Sequence, residues 1–116
     1  MRISEMELKR IAENNPQELI KLLSDNNADI ATLTFGAEMI GSIKDENLVT
    51  PILKKLLSHI NAVVREGAVY GTSAFFDNKS LPEDILNKIK AMSIKDPSPG
   101  VRQCSKDLLT VFGECK

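Results

Sequence analysis

The chain has 116 residues, 42% hydrophobic and 27% charged, with 15 Lys plus Arg against 16 Asp plus Glu and a formal net charge of −1. A chain of this length suits one domain, able to bury roughly two-thirds of the surface its unfolded form exposes, and its balanced charge lacks the basic excess that phosphate backbones require, which argues against nucleic acid as a partner. Aromatics at 4% with no Trp suit helices packed through Leu, Ile, Val and Ala, while the charged start MRISEMELKR without an apolar core behind it, and the lack of any apolar run near ~18 residues, argue against secretion and membrane insertion.

Seven helices are expected in chain order. Ser4 and Glu7 form a capping box with Ile3 and Leu8 at the two staple positions, opening a helix at about 4–14. Asn15, Pro16 and Glu18 supply cap, first-turn proline and N-terminal acid for a short second helix ending near Asp25. In DIATLTFGAEMIGSI, residues Ile30, Leu33, Ala37 and Ile40 recur at helical spacing, which predicts a third helix. Asp45 caps a fourth that runs to about His59, kinked or restarted at Pro51 with Thr50 as a second cap. NAVVREGAVYGTSAFF forms a fifth, Ser80 with Glu83 opens a sixth through about Ile94, and Ser98 with Pro99 opens a seventh through about Phe112.

The helix pairs repeat. LLSDNNADIATLTFGAEM, from Leu22, matches LLSHINAVVREGAVYGTS, from Leu56, at an offset of 34 residues, bringing together Asn27 with Asn61, Ala28 with Ala62 and Ile30 with Val64. AMSIKDPSPGVRQCSKDLLTVF, from Ala91, joins them once loop residues are allowed, with Val101 on Val64 and Arg102 on Arg65. The expectation is an all-α short solenoid: a capping helix at about 4–14 and three hairpins at about 16–43, 45–76 and 80–112.

These residues resemble HEAT repeats, whose second helix opens with an Asp, then V-R six residues on, then small apolar positions. Asp96, Pro97, Val101 and Arg102 fit that pattern, and Val64, Arg65 and Ala68 fit it in the preceding pair. The pattern departs at His59, which stands where the Asp belongs, and at Ala31, which stands in the Arg position behind Asp25. The short period is nearer to the compact HEAT-like repeats of phycobilin lyases. The resemblance spans residues 16–112, implies a stacked fold and is almost silent on function. Within it, Asp96 accepts bonds at its helix start and Arg102, one turn in, pairs with it, so that Asp96, Arg102 and, lacking its own Asp, Arg65 are expected to be structural.

Chemistry is scarce. His59 is the only His and has no second ligand at metal or triad spacing. Cys104 falls on an apolar helical face, and its distance from Cys115 suggests neither zinc nor a disulfide, which fits a reducing, cytoplasmic setting. The acid pairs Asp45-Glu46 and Glu83-Asp84 sit at helix starts, where they complement the dipole. No catalytic residue, metal or cofactor is expected. Phe35, Val69 and Lys106 occupy corresponding edge positions about 140° around the wheel; two are apolar and the last is charged, as expected where stacking stops.

What remains is the concave ridge of second helices. The wheel puts Thr32, Gly36 and Met39, then Glu66, Tyr70 and Ser73, then Gln103, Asp107 and Thr110 on it. Thr32, Met39, Glu66, Tyr70, Ser73 and Gln103 are therefore the candidate partner-binding residues, with Tyr70 and Met39 as anchors. The expected function is a non-enzymatic adaptor for a protein or peptide partner, itself a monomer or weak homo-oligomer. The alternative is an accessory to a lyase-type or other enzyme, holding a cofactor or substrate on the concave face. The Lys54-Lys55 and Lys88–Lys90 groups fall on the convex first helices as solvated charge.

Overall fold

Helix starts are fixed by short polar side chains that satisfy the first free N–H groups. Ser4 accepts from the Glu7 N–H at 3.2 Å, Asp29 from Thr32 at 2.9 Å, Asn61 from Val63 at 2.8 Å and Ser98 from Val101 at 3.3 Å. The computed structural model describes residues 4–25 and 27–113; Ile3 and Cys115 lie outside them. The described residues form seven α-helices and no strand: α1 Glu5–Asn14, α2 Pro16–Leu23, α3 Ile30–Glu38, α4 Glu46–Leu57, α5 Ala62–Phe75, α6 Glu83–Lys95 and α7 Pro99–Val111.

Three local expectations change. The third segment leaves the α-helix after Glu38 and tightens into a 3₁₀ turn at Met39–Ser42, which tucks Ile40 fully into the core. Pro51 sits inside α4 without dividing it, so Thr50 starts no second helix; the N–H that Pro lacks forfeits one intrahelical bond. Ser80 does not cap α6. Asn78 takes a positive φ of 62°, a turn conformation Asn tolerates. The chain then runs extended through Pro82, which is itself the N-cap and offers no side-chain bond.

Each even-numbered helix packs on the one after it, and α5 lies between α3 and α7, while α1 covers α2, α3 and the 3₁₀ turn. The Cα radius of gyration is 13.2 Å, with extents of 40 × 28 × 20 Å; a compact globule of this length has ~13 Å. Leu8, Leu23, Ile40, Leu53, Ile85 and Ile89 are among the side chains with essentially no exposure. On the other side of the molecule, Lys55 donates to the Ser24 carbonyl at 2.9 Å and Lys54 pairs with Asp84, tying α4 to α2 and to α6. These lysines are thus cross-links as well as solvated charge, although the Lys54–Asp84 pair is half exposed and contributes little. Lys106 is exposed, Val69 buried and Phe35 half-buried.

The tightest helix contact is α3 on α5, made possible by two glycines. A Cβ on Gly71 would stand 2.1 Å from the Ala37 carbonyl oxygen, and one on Gly67 2.8 Å from the Thr34 carbonyl oxygen. Backbone is in the way at both positions, so the helices would have to separate. At Gly36 the obstacle is instead Leu23 Cδ2, at 2.6 Å, the end of a side chain that can rotate. Gly71→Ala is therefore expected to destabilise by about 2 to 3 kcal/mol through overpacking. Gly36→Ala should stay within about 1 kcal/mol of the parent, because the higher helix propensity of Ala offsets the adjustment of Leu23. Urea unfolding of the two variants checks this, and equal costs would contradict the backbone contact.

Candidate functional site

The ridge is built around an arginine cluster at the turn ends of the last two hairpins. Arg65, one turn into α5, donates Nε to Asp96 Oδ2 and a terminal nitrogen to Asp96 Oδ1, both at 2.9 Å, forming a two-pronged pair across 31 residues of chain. Its other terminal nitrogen donates to the carbonyls of His59 and Ile60 at 2.8 and 2.9 Å. Asp96 Oδ1 also accepts from the Ser98 N–H at 2.9 Å. Arg102 reaches the same residue differently, donating to the Asp96 main-chain carbonyl at 2.6 Å. The Asp96 carboxylate is thus held by the arginine of the preceding hairpin, and Arg102 closes its own turn as Arg65 closes the one at His59. His59 belongs to this frame as well, its Nδ1 accepting from the Asn61 N–H at 3.0 Å.

The pair is nearly buried, with side-chain exposure of 12% for Arg65 and 6% for Asp96. Burial pushes the Asp96 carboxyl up, but the bonds from Arg65 and Ser98, with the charges of Arg65 and Lys88, outweigh it and hold the carboxyl below its ordinary value.

Of the six candidate ridge residues, α5 carries the core of the site. Tyr70 is 55% exposed, Ser73 and Glu66 are half-buried, and Gln103 is exposed on α7, where it donates to Asp107 at 2.9 Å. Thr32 is buried at 2% exposure and so offers a partner almost nothing. Met39 is half-buried in the 3₁₀ turn and packs on the core. Gly36 is buried too, facing Leu19 and Leu23 of α2. The accessible stretch of ridge is consequently the part on α5 and α7.

Between those helices runs a groove of about 200 Å³ lined by Val69, Tyr70, Ser73, Cys104, Asp107, Leu108 and Val111. Its walls are mostly apolar, and Val111 is 73% exposed at its edge. A roomier hollow of about 380 Å³ is lined, among the described residues, by Glu18, Lys21, Leu22, Ser24 and Asp25, all of α2 and its turn. Val111 was absent from the wheel-based ridge. It follows Cys104 and Leu108 at i+7 and i+3, a stripe that reads as core until the last turn of α7 carries it into solvent.

Electrically the groove is acidic. Partial cover raises the Tyr70 phenol above its ordinary pKa, and Cys104, Glu66, Asp107 and Glu38 add to the rise. The Cys104 thiol is pushed up to about 11 by burial and then by Glu66 and Asp107. It donates to the Val101 carbonyl at 3.4 Å, and a thiol so protonated at neutral pH is a poor nucleophile. Among the described residues no group of three or more His, Cys, Asp or Glu side chains is placed to hold a metal ion. No helix among them is long and apolar enough to cross a membrane.

Arg65→Met should cost about 3 to 5 kcal/mol, because it strands the buried Asp96 carboxylate, and adding Asp96→Asn should recover part of that loss. The contribution of Asp96 is also pH dependent. Its folded-state pKa lies below the unfolded value of ~3.9, so its stabilisation is complete above about pH 4 and disappears as pH falls through the folded value. The gap in urea midpoint between parent and Asp96→Asn should therefore be wide at neutral pH and narrow in acid; a gap independent of pH would contradict the assignment. A scan against protein-family models finds no matching family, and searches of curated proteins and of solved structures find no match.

Proposed function

We propose that the chain is a non-enzymatic, cytoplasmic protein-binding module, a short solenoid of three HEAT-like hairpins closed at one end by α1, which presents the α5–α7 part of its second-helix ridge to a protein or peptide partner. The observation that carries this reading is Tyr70: a large amphipathic side chain left 55% exposed beside an apolar groove, on a scaffold whose phenylalanines are all buried or half-buried. Exposed aromatics set in apolar recesses are the usual anchors of protein interfaces. The small volume of the groove supports a side chain as its occupant in preference to a cofactor, since cofactor pockets take roughly 300–1,000 Å³.

Capture of partners on the immobilised chain, with identification by mass spectrometry, tests the proposal. Tyr70→Ala with Gln103→Ala should weaken a captured partner by about 2 kcal/mol or more at unchanged helix content. Lys21→Ala with Lys95→Ala, on the first helices α2 and α6, should leave capture unchanged. Loss of the partner with the lysine pair and its retention with the ridge pair would move the interface to the first helices.

A further inference from the structure

The lysines are concentrated on the first helices: α2, α4 and α6 carry Lys21, Lys54, Lys55, Lys88, Lys90 and Lys95, together with the acids Glu18, Glu46, Glu83 and Asp84 in their first turns. The second helices carry few cations, and two of those are engaged at the turns: Arg65 on Asp96 and Arg102 on the Asp96 carbonyl. Lys106 lies one helix position before Asp107, about 100° round α7 from it, and is outside the groove lining. Asp107 on α7 lines the apolar groove; Glu66 on α5, whose carboxylate lies against Gly100 at the start of α7, and Glu38 on α3 act on Tyr70 from beyond the lining. Glu38 itself feels only partial cover and Glu5, both of which raise its pKa. The carboxylates of Glu66 and Asp107 thus act on both Tyr70 and Cys104, and each raises their pKa.

We infer that the occupant of the α5–α7 groove is a cationic peptide segment with an apolar anchor: one or two apolar side chains enter between Tyr70 and Val111 over Leu108, while flanking Lys or Arg residues meet Glu66 and Asp107. This rests on the module reading above and specifies the partner's chemistry. The apolar walls explain why charge alone does not suffice, and the acids on both sides of the groove explain why apolar surface alone does not. The Tyr70 ring, edged by carboxylates, also offers its face to a cation. Such an interface gains speed and selectivity from complementary charge and affinity from the buried anchor.

The test is fluorescence anisotropy with three short synthetic peptides: a Leu pair flanked by Lys, the same with Glu for Lys, and the same with Ser for Leu. The Lys/Leu peptide should bind, with an affinity that falls as salt rises, and each control should bind at least about tenfold more weakly. Glu66→Gln with Asp107→Asn, nearly isosteric changes that leave an acceptor for Gln103, should weaken the Lys/Leu peptide about tenfold and flatten its salt dependence. Tyr70→Ala should weaken it at every salt concentration. Equal binding of the Glu/Leu peptide, or a salt dependence untouched by the acid-to-amide pair, would overturn the inference. So would salt-reversible self-association of the chain that the same pair abolishes, since the occupant would then be a second copy using its lysine face. The two readings fail separately. A captured partner that needs Tyr70, with no binding of the Lys/Leu peptide, sinks the cationic segment and keeps the module. A partner indifferent to Tyr70 sinks both.

Discussion

The arrangement of the last two hairpins depends on one guanidinium. Arg65 takes two bonds to the Asp96 carboxylate and two to main-chain carbonyls of its own turn, using a fork that lysine could not reproduce. It thereby holds the start of α5, the α4–α5 turn and the α6–α7 turn in a single hydrogen-bonded unit. At this depth the ion pair is not a large net gain over well-packed apolar side chains, since desolvation offsets most of the attraction. Its consequence is specificity of position. An unpaired Asp96 would be costly at 6% side-chain exposure, so α7 has one register on α5 in which the charge is satisfied, and the groove between Tyr70 and Val111 is a product of that register.

Small residues do the corresponding work on the other side of α5. Gly67 and Gly71 let its backbone touch that of α3 at Thr34 and Ala37, which leaves no room for a groove there. The α5–α7 contact, with Val69, Cys104 and Leu108 between the helices, is looser and leaves the recess. One helix thus packs in two ways, sealed toward α3 and open toward α7, and the side-chain sizes along its two edges decide which.

Helix number and order were legible because caps and apolar periodicity are local properties: the capping roles of Ser4, Asn15 and Ser98 depend only on residues within the next turn of chain. The start of α6 was less legible, since Ser80 and Glu83 have capping-box spacing while the positive φ at Asn78 and the extended Pro82 place the helix later. The partner of Asp96 could not be read from one hairpin, because the bond crosses between hairpins. That crossing makes the two departures from the pattern explain each other. Ala31 holds the position of Arg65 one hairpin earlier, and His59 holds the position of Asp96, so the missing cation and the missing anion would have faced one another. On the ridge, helical angle placed Tyr70 and Gln103 where the structure leaves them exposed, but could not foresee that Thr32 is buried and that Gly36 faces Leu19 and Leu23, which depends on where α2 lies.

If Arg65 fixes the last hairpin on the rest of the chain and so forms the groove, its loss must loosen that hairpin before any other part. Amide hydrogen exchange in the Arg65→Met variant measures this directly, since protection reports local opening segment by segment. The expected result is that α6 and α7 lose protection while α1, α2 and α3 keep that of the parent. Parent-like protection throughout α6 and α7 in that variant would contradict the role given to Arg65.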